Sequence, residues 1–277
     1  MVARIRVRHA LPFWQRLRRH WRAWRGAGLG KTHEVHFVWI GKTRLKRVRF
    51  ADAQTAREIA HGLEQLAGDG CFPTLLMAQG RQLWVDFVPG QAPRLNDPAD
   101  RDRLVAFFVR LYARAPATAS KPDALSARLA LDLDFLTRCG VLATERANRL
   151  LALERTLRPD RVWAGADYTD PVGKNFVIRD DVAVGIDIEA LSSNSPLGTG
   201  LAKAWLRWPF DPAPEVFGRL PADGPDLGQQ WAWVRLCFLG DYFKQKVLQG
   251  KPGYIRLEAF DRLLAGSDSC GRSTRLW

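Results

Sequence analysis

One stretch constrains this chain more than any other: residues 168–189, Tyr-Thr-Asp-Pro-Val-Gly-Lys-Asn-Phe-Val-Ile-Arg-Asp-Asp-Val-Ala-Val-Gly-Ile-Asp-Ile-Glu. A polar loop leads into a strand over 176–178, a tight turn falls at Asp180 and Asp181, and a second strand over 182–188 ends among carboxylates. β-Branched runs on either side of a two-residue polar turn mark a hairpin. A hairpin doubles the chain back, so Asp170 and Asn175 before it come close to Asp187 after it. Carboxylate and amide oxygens are hard donors of the kind magnesium takes, and magnesium keeps several waters, so a few protein ligands suffice. The same residues could also be no more than turn and strand-end residues, where Asp and Asn are common.

The runs Asp170-Pro-x-x-x-Asn175-Phe and Ile-Asp187-Ile-Glu189 resemble the catalytic and metal-binding loops of the protein-kinase-like superfamily. They are closer to its bacterial small-substrate branch of aminoglycoside, choline and lipopolysaccharide-core kinases than to protein kinases. The first run is similar to the loop of lipopolysaccharide core heptose kinases. The second lacks the Gly of the protein-kinase Asp-Phe-Gly. Tyr168 stands where a His is usual, and all five His lie at or before His61. The resemblance implies an α+β, bilobal fold with a small β-rich N-lobe and a helical C-lobe. It implies ATP and magnesium as cofactors, Asp170 as the base for the acceptor hydroxyl, and Asn175, Asp187 and Glu189 as metal ligands. Lys174 would neutralise the γ-phosphate, unless it is a plain surface lysine.

The chain has 277 residues, enough for two lobes with a sizeable core. Its net charge is +13, yet eight Arg and no acid fall within residues 1–25, and the first acid is Glu34. Most of the excess therefore belongs to one arm. Cys71, Cys139, Cys237 and Cys270 are far apart with no C-x-x-C, which argues against a disulfide framework or zinc site and suits the cytoplasm. No apolar run approaches the roughly 18 residues of a membrane span. Leu11, Trp14, Leu17, Trp21 and Trp24 recur at helical spacing, with Arg16, Arg18, Arg19, Arg22 and Arg25 filling most of the rest. Such a stripe suits an interfacial helix, so residues 11–25 are expected to meet an anionic surface at the inner face of the inner membrane. Packing of the stripe on the body is a second reading. Nucleic acid, bound by phosphate contact and stacking, is the partner least expected.

The rest of the order fits three parts: a basic amphipathic arm over 1–25, an N-lobe over 26–90 and a C-lobe over 91–277. Gly26-Ala-Gly-Leu-Gly-Lys-Thr32 is not a Walker A motif, because Arg25 stands where the first Gly is required. It is a linker or an irregular glycine loop over a nucleotide. Strands follow over 34–40 and 43–50, a helix over 53–66, and strands over 71–76 and 82–88. By resemblance, Lys46 on the second of these strands meets the ATP phosphates, with Arg47 as the competing cation. Glu58 on the helix is the expected partner of Lys46, and Glu64 the second choice. Adenine would meet backbone groups from Asp86 to Val88. Helices are expected near 104–112, twice within 129–157, and over 201–208, 231–248 and 257–264. Residues 192–198 read as a loop and 209–228 as a surface excursion. The expected function is phosphorylation of a sugar hydroxyl in the lipopolysaccharide core. Alternatives are a soluble aminoglycoside- or choline-type kinase and a kinase-like pseudoenzyme or binding protein.

Overall fold

The structure is a computed structural model that describes residues 5–9, 33–114, 116–222 and 224–270. Its first layer is a five-stranded antiparallel sheet. It is built from β1 (Ile5–His9), β2 (Glu34–Ile40), β3 (Thr43–Arg49), β4 (Leu75–Gln79) and β5 (Gln82–Asp86), in the order β1-β2-β3-β5-β4. The period of two decides what each strand shows to the cleft. Lys46 pairs with Phe37 and Val85, so these share one face, while Arg47 pairs with His36 and Trp84 on the other.

Strand β1 was not expected. Its residues belong to the stretch read as an arm, yet Ile5 to His9 pair in register with Ile40 to His36 at the sheet edge. The amphipathic stripe over 11–25 and the Gly26–Gly30 segment lie outside the described residues.

Helix α1 (Ala53–Gln65) is capped by Asp52, whose carboxylate accepts the Thr55 N–H at 2.7 Å. It buries Ala56, Ile59, Ala60 and Leu63 against β4 and β5, and it also reaches the other lobe. There a side chain at Gly62 would press on Leu191 Cδ2 at 3.2 Å.

The second lobe is mainly helical. Helices α2 (Pro98–Arg114), α3 (Asp123–Arg138) and α4 (Thr144–Leu157) come first, then α5 (Thr199–Arg207), α6 (Ala213–Arg219), α7 (Leu227–Leu248) and α8 (Glu258–Cys270). Between them, β6 (Ala117–Ser120), β7 (Val162–Tyr168) and β10 (Leu191–Pro196) form a three-stranded sheet in the order β10-β7-β6. The segment expected as a loop is thus largely a strand. Ser-Ser-Asn-Ser has little intrinsic strand tendency, but pairing with β7 and burial of Leu191 and Leu197 hold it there. The expected excursion over 209–228 likewise contains α6, which buries Ala213 and Val216. Among the described residues, no helix is long and apolar enough to cross a membrane, and Cys71, Cys139 and Cys237 are unpaired.

The hairpin forms from β8 (Phe176–Arg179) and β9 (Val182–Gly185). Asp180 and Asp181 both adopt left-handed backbone, at φ 49 and 63, as a type I′ turn requires. The second strand stops at Gly185, short of 188: the Ile186 N–H still reaches the Asn175 carbonyl at 2.8 Å, but Asn175 closes a 3-10 turn over Gly173–Asn175 and Asp187 leaves extended backbone at ψ 73. Glycine is needed at 185, since a Cβ would sit 3.0 Å from Phe72 and 3.2 Å from the Tyr168 ring.

A buried carboxylate joins these parts. Asp167 accepts from the Tyr112 hydroxyl (2.9 Å), the Tyr168 N–H (2.7 Å) and the Gly200 N–H (3.0 Å), the last at the start of α5. Burial pushes its carboxyl up from 3.8 to about 6, and those hydrogen bonds only partly oppose it. Between about pH 4 and 6 the folded chain therefore holds a proton that the unfolded chain has released, and stability falls as pH rises. About two units at about 1.4 kcal/mol each predict a loss near 3 kcal/mol across that window. Urea unfolding at several pH values should show this slope in wild type and not in Asp167→Asn.

Candidate active site

The site is organised by a tyrosine. Tyr168 ends β7 with its ring fully buried, edge-on to Phe72, Phe107 and Phe176 at centroid distances of 5.2–5.6 Å. Its hydroxyl donates to the Asn175 carbonyl at 2.9 Å and accepts the Asp187 N–H at 3.2 Å. One oxygen thus ties the loop before the hairpin to the turn after it.

The loop itself is held from several sides. Thr169 donates its N–H and hydroxyl to the Ala190 carbonyl at 2.8 and 2.9 Å, and Trp208 donates its indole N–H to the Pro171 carbonyl at 2.7 Å. Asn175 donates Nδ2 to the Asp170 carbonyl at 2.8 Å and to Asp170 Oδ2 at 3.2 Å. Its remaining side-chain atom is Oδ1, a hard oxygen suited to a cation. Among the described residues no group of three or more His, Cys, Asp and Glu gathers as metal ligands. The donor set is an amide oxygen and the Asp187 carboxylate, and a magnesium ion that keeps its waters needs no larger set. Asp170 is part-exposed, and Lys203 of α5 places Nζ 2.6 Å from its Oδ1.

Across the cleft, Lys46 donates to the Ile186 carbonyl at 2.7 Å and to Glu189 Oε2 at 3.1 Å. His33 Nε2 approaches Glu189 Oε1 at 3.4 Å. Burial raises the Glu189 carboxyl, but Lys46 and the Asp187 side chain together hold it below its ordinary value. Beside this pair, Val88 packs with Val177, Val184, Val182 and Ile186 to form an apolar floor between hinge and hairpin. Gln91 and Ile178 exchange backbone hydrogen bonds at 3.3 and 2.8 Å, which fixes the hinge to the hairpin. The Asp86 N–H is engaged by the Thr74 carbonyl at 3.0 Å, while Val88 has no backbone hydrogen bond among the described residues.

The expected residues sort accordingly. Asp170, Asn175 and Asp187 come together, and Lys46, Asp86 and Val88 lie across the cleft from them. Arg47 lies on the far sheet face with its guanidinium 5.5 Å from the Trp84 ring centroid, so of the two cations Lys46 faces the cleft. The expected Lys46–Glu58 pair does not form. At about 100° per residue, Glu58 falls opposite the buried Ala56, Ile59 and Leu63 stripe, where it is exposed and bonded to Gln54 at 2.7 Å. Glu64 is exposed too. Glu189, expected as a metal ligand, pairs with Lys46 at 3.1 Å from the 3-10 turn over Ile188–Ala190. Lys174 is exposed, and the lysine in contact with Asp170 is Lys203. Neither Lys203 nor His33 was legible in sequence. Each lies about thirty residues or more from the loop residue it approaches, and neither sits in a motif.

No protein-family model matches the chain, and no curated protein matches it. Solved structures do. The choline kinase LicA from Streptococcus pneumoniae has 14% identity and a TM-score of 0.60, with 93% of this chain and 100% of that one covered. A thermostable mutant of the aminoglycoside phosphotransferase APH(4)-Ia, solved with ADP and hygromycin B, has 12% identity and a TM-score of 0.57, covering 89% and 93%. The Plasmodium vivax ethanolamine kinase has 13% identity and a TM-score of 0.53, covering 87% and 80%. At these identities the likeness shows the fold, which this chain shares with these small-molecule kinases.

Tyr168→Phe tests the hub. Removing the hydroxyl takes away the buried acceptor of the Asp187 N–H, which is expected to cost about 1–3 kcal/mol. Denaturant unfolding reads that loss, and hydrogen exchange should show the Asp187 amide exchanging faster.

Proposed function

We propose that this chain is an ATP- and magnesium-dependent phosphotransferase acting on the hydroxyl of a sugar. The observation that carries the reading is the cleft itself, with Asp170, Asn175 and Asp187 joined through Tyr168 on one wall and Lys46 held by Glu189 on the other. Asp170 orients the acceptor hydroxyl and takes its proton. Asn175 and Asp187 hold magnesium, which when bound neutralises the nucleotide phosphates. Lys46 meets those phosphates, kept in place by Glu189. Val88 and its apolar neighbours receive the purine, with hinge backbone groups at its edge. Lys203 lies beside Asp170, where negative charge gathers during transfer, and such fixed charges are the main lever in phosphoryl transfer.

For the acceptor we propose a sugar of the lipopolysaccharide core, reached at the inner membrane surface through residues 11–25. The Asp170-Pro-x-x-x-Asn175-Phe run and the basic aromatic arm support this. The choline, aminoglycoside and ethanolamine kinases of like fold favour the second reading, a soluble small-molecule kinase.

ATP consumption with magnesium, measured against core oligosaccharide, aminoglycosides and choline, separates the two by which acceptor responds. Asp170→Asn and Asp187→Ala should each lower kcat by about a hundredfold or more, with the fold retained. Turnover undiminished in Asp187→Ala would sink the mechanism.

A further inference from the structure

One side of Asp170 carries a charge pattern that the transfer chemistry leaves unexplained. Lys203 and Arg207 are four apart on α5, and Tyr242 and Lys246 are four apart on α7, so each pair shares one helix face. The two faces meet. Lys203 Nζ is 2.6 Å from Asp170 Oδ1 and 5.8 Å from the Tyr242 ring centroid. Lys246 Nζ is 4.7 Å from that same ring and 5.6 Å from the Tyr254 ring, over which Arg207 also sits at 5.3 Å. Lys246 and Lys251 both reach Gln249 Oε1, at 3.5 and 3.4 Å. Three cations therefore sit over two tyrosine rings beside Asp170, and Lys251 joins Lys246 at Gln249.

Among the described residues, three of the four cations have no carboxylate partner. Among the described residues, Asp170 is the carboxylate paired with Lys203, and Arg207, Lys246 and Lys251 have no carboxylate within 4.0 Å. Asp241, the acid on the same stretch of α7, is engaged by Arg128 at 2.8 Å and Lys244 at 3.3 Å. Like charges four apart on a helix destabilise it, and gathering four of them disfavours the fold unless something outside the protein compensates. Burial and the neighbouring Lys203, Lys251 and Arg207 already pull the Lys246 ammonium below its ordinary value. The exposed Tyr254 ring offers a flat face of the kind that stacks on sugar rings, the buried Tyr242 ring, stacked on Phe238 at 5.3 Å, backs the cations, and the cations offer donors for oxyanions.

We propose that this wall of Lys203, Arg207, Lys246 and Lys251 with the exposed Tyr254 ring is the acceptor site, and that it takes a hydroxyl compound bearing a phosphate or carboxylate. The inference rests on Asp170 being the base that faces the acceptor. It also separates this chain from kinases of like fold whose named acceptors, choline and ethanolamine, carry positive charge that this wall would repel.

The test uses the full chain saturated with ADP and magnesium, so that the nucleotide site is filled. Isothermal titration first measures ADP, then inorganic phosphate, glucuronate, glucose 6-phosphate, glucose and choline. Wild type is expected to bind inorganic phosphate or glucuronate, and whichever is tighter names the anionic group. Lys246→Met and the exposed Lys251→Glu should each weaken that binding about tenfold or more, with ADP affinity and circular dichroism unchanged. Anion binding absent in wild type, or as tight in both variants as in wild type, overturns the proposal, as does choline binding more tightly than phosphate. A chain that fails to bind ADP with magnesium would instead overturn the phosphotransferase reading, which keeps the two failures apart.

Discussion

The Tyr168 hydroxyl is the constraint on which the rest of the site depends. A phenol buried among Phe72, Phe107 and Phe176 must satisfy its oxygen, and it does so with two backbone groups, the Asn175 carbonyl and the Asp187 N–H. These belong to the two loops that carry the candidate metal oxygens. Neither loop can shift without breaking a buried hydrogen bond, so the separation of Asn175 and Asp187 is set by the core and not by the surface. Asp167, one residue earlier, does the same for helix α5, and α5 carries Lys203 to Asp170. Two consecutive residues at the end of one strand thus position the catalytic loop, the turn after the hairpin and the helix beside them.

The cleft is also where the lobes are joined electrostatically. Lys46 comes from the N-lobe sheet and Glu189 from the C-lobe turn, and both are largely buried. A buried pair gains little stability in itself, because desolvation offsets much of the attraction, but losing one partner strands a charge. The pair therefore favours one relative placement of the lobes. Helix α1 reinforces it from behind by packing on β4, β5 and β10.

Around Asp170 the electrostatics divide. Towards the hinge lie Asp187 and Glu189, a setting for cations. Towards α7 lie Lys203, Arg207, Lys246 and Lys251, a setting for anions. For the proposed phosphotransferase, this division would give a metal-bound nucleotide and an acceptor distinct surroundings on the two sides of Asp170.

Much of this could be read from sequence because it is local. The Asp170 to Asn175 spacing, the turn at Asp180 and Asp181, and the strand and helix periods of the N-lobe are set by neighbours within a few residues. The α+β class and the choice of Lys46 as a candidate come from resemblance to kinase loops and strands. What failed was long-range. The exchange of Glu58 for Glu189 as the partner of Lys46 turns on which face of α1 is buried and where a 3-10 turn points. The strand at Leu191–Pro196 owes its form to pairing with β7, since its own residues favour a loop. Lys203 reaches Asp170 only because Asp167 anchors α5. Local chemistry determined which groups are available and how the chain bends between them. Tertiary packing decided which charges meet, because an ion pair between residues more than a hundred positions apart leaves no period or spacing for a sequence to display.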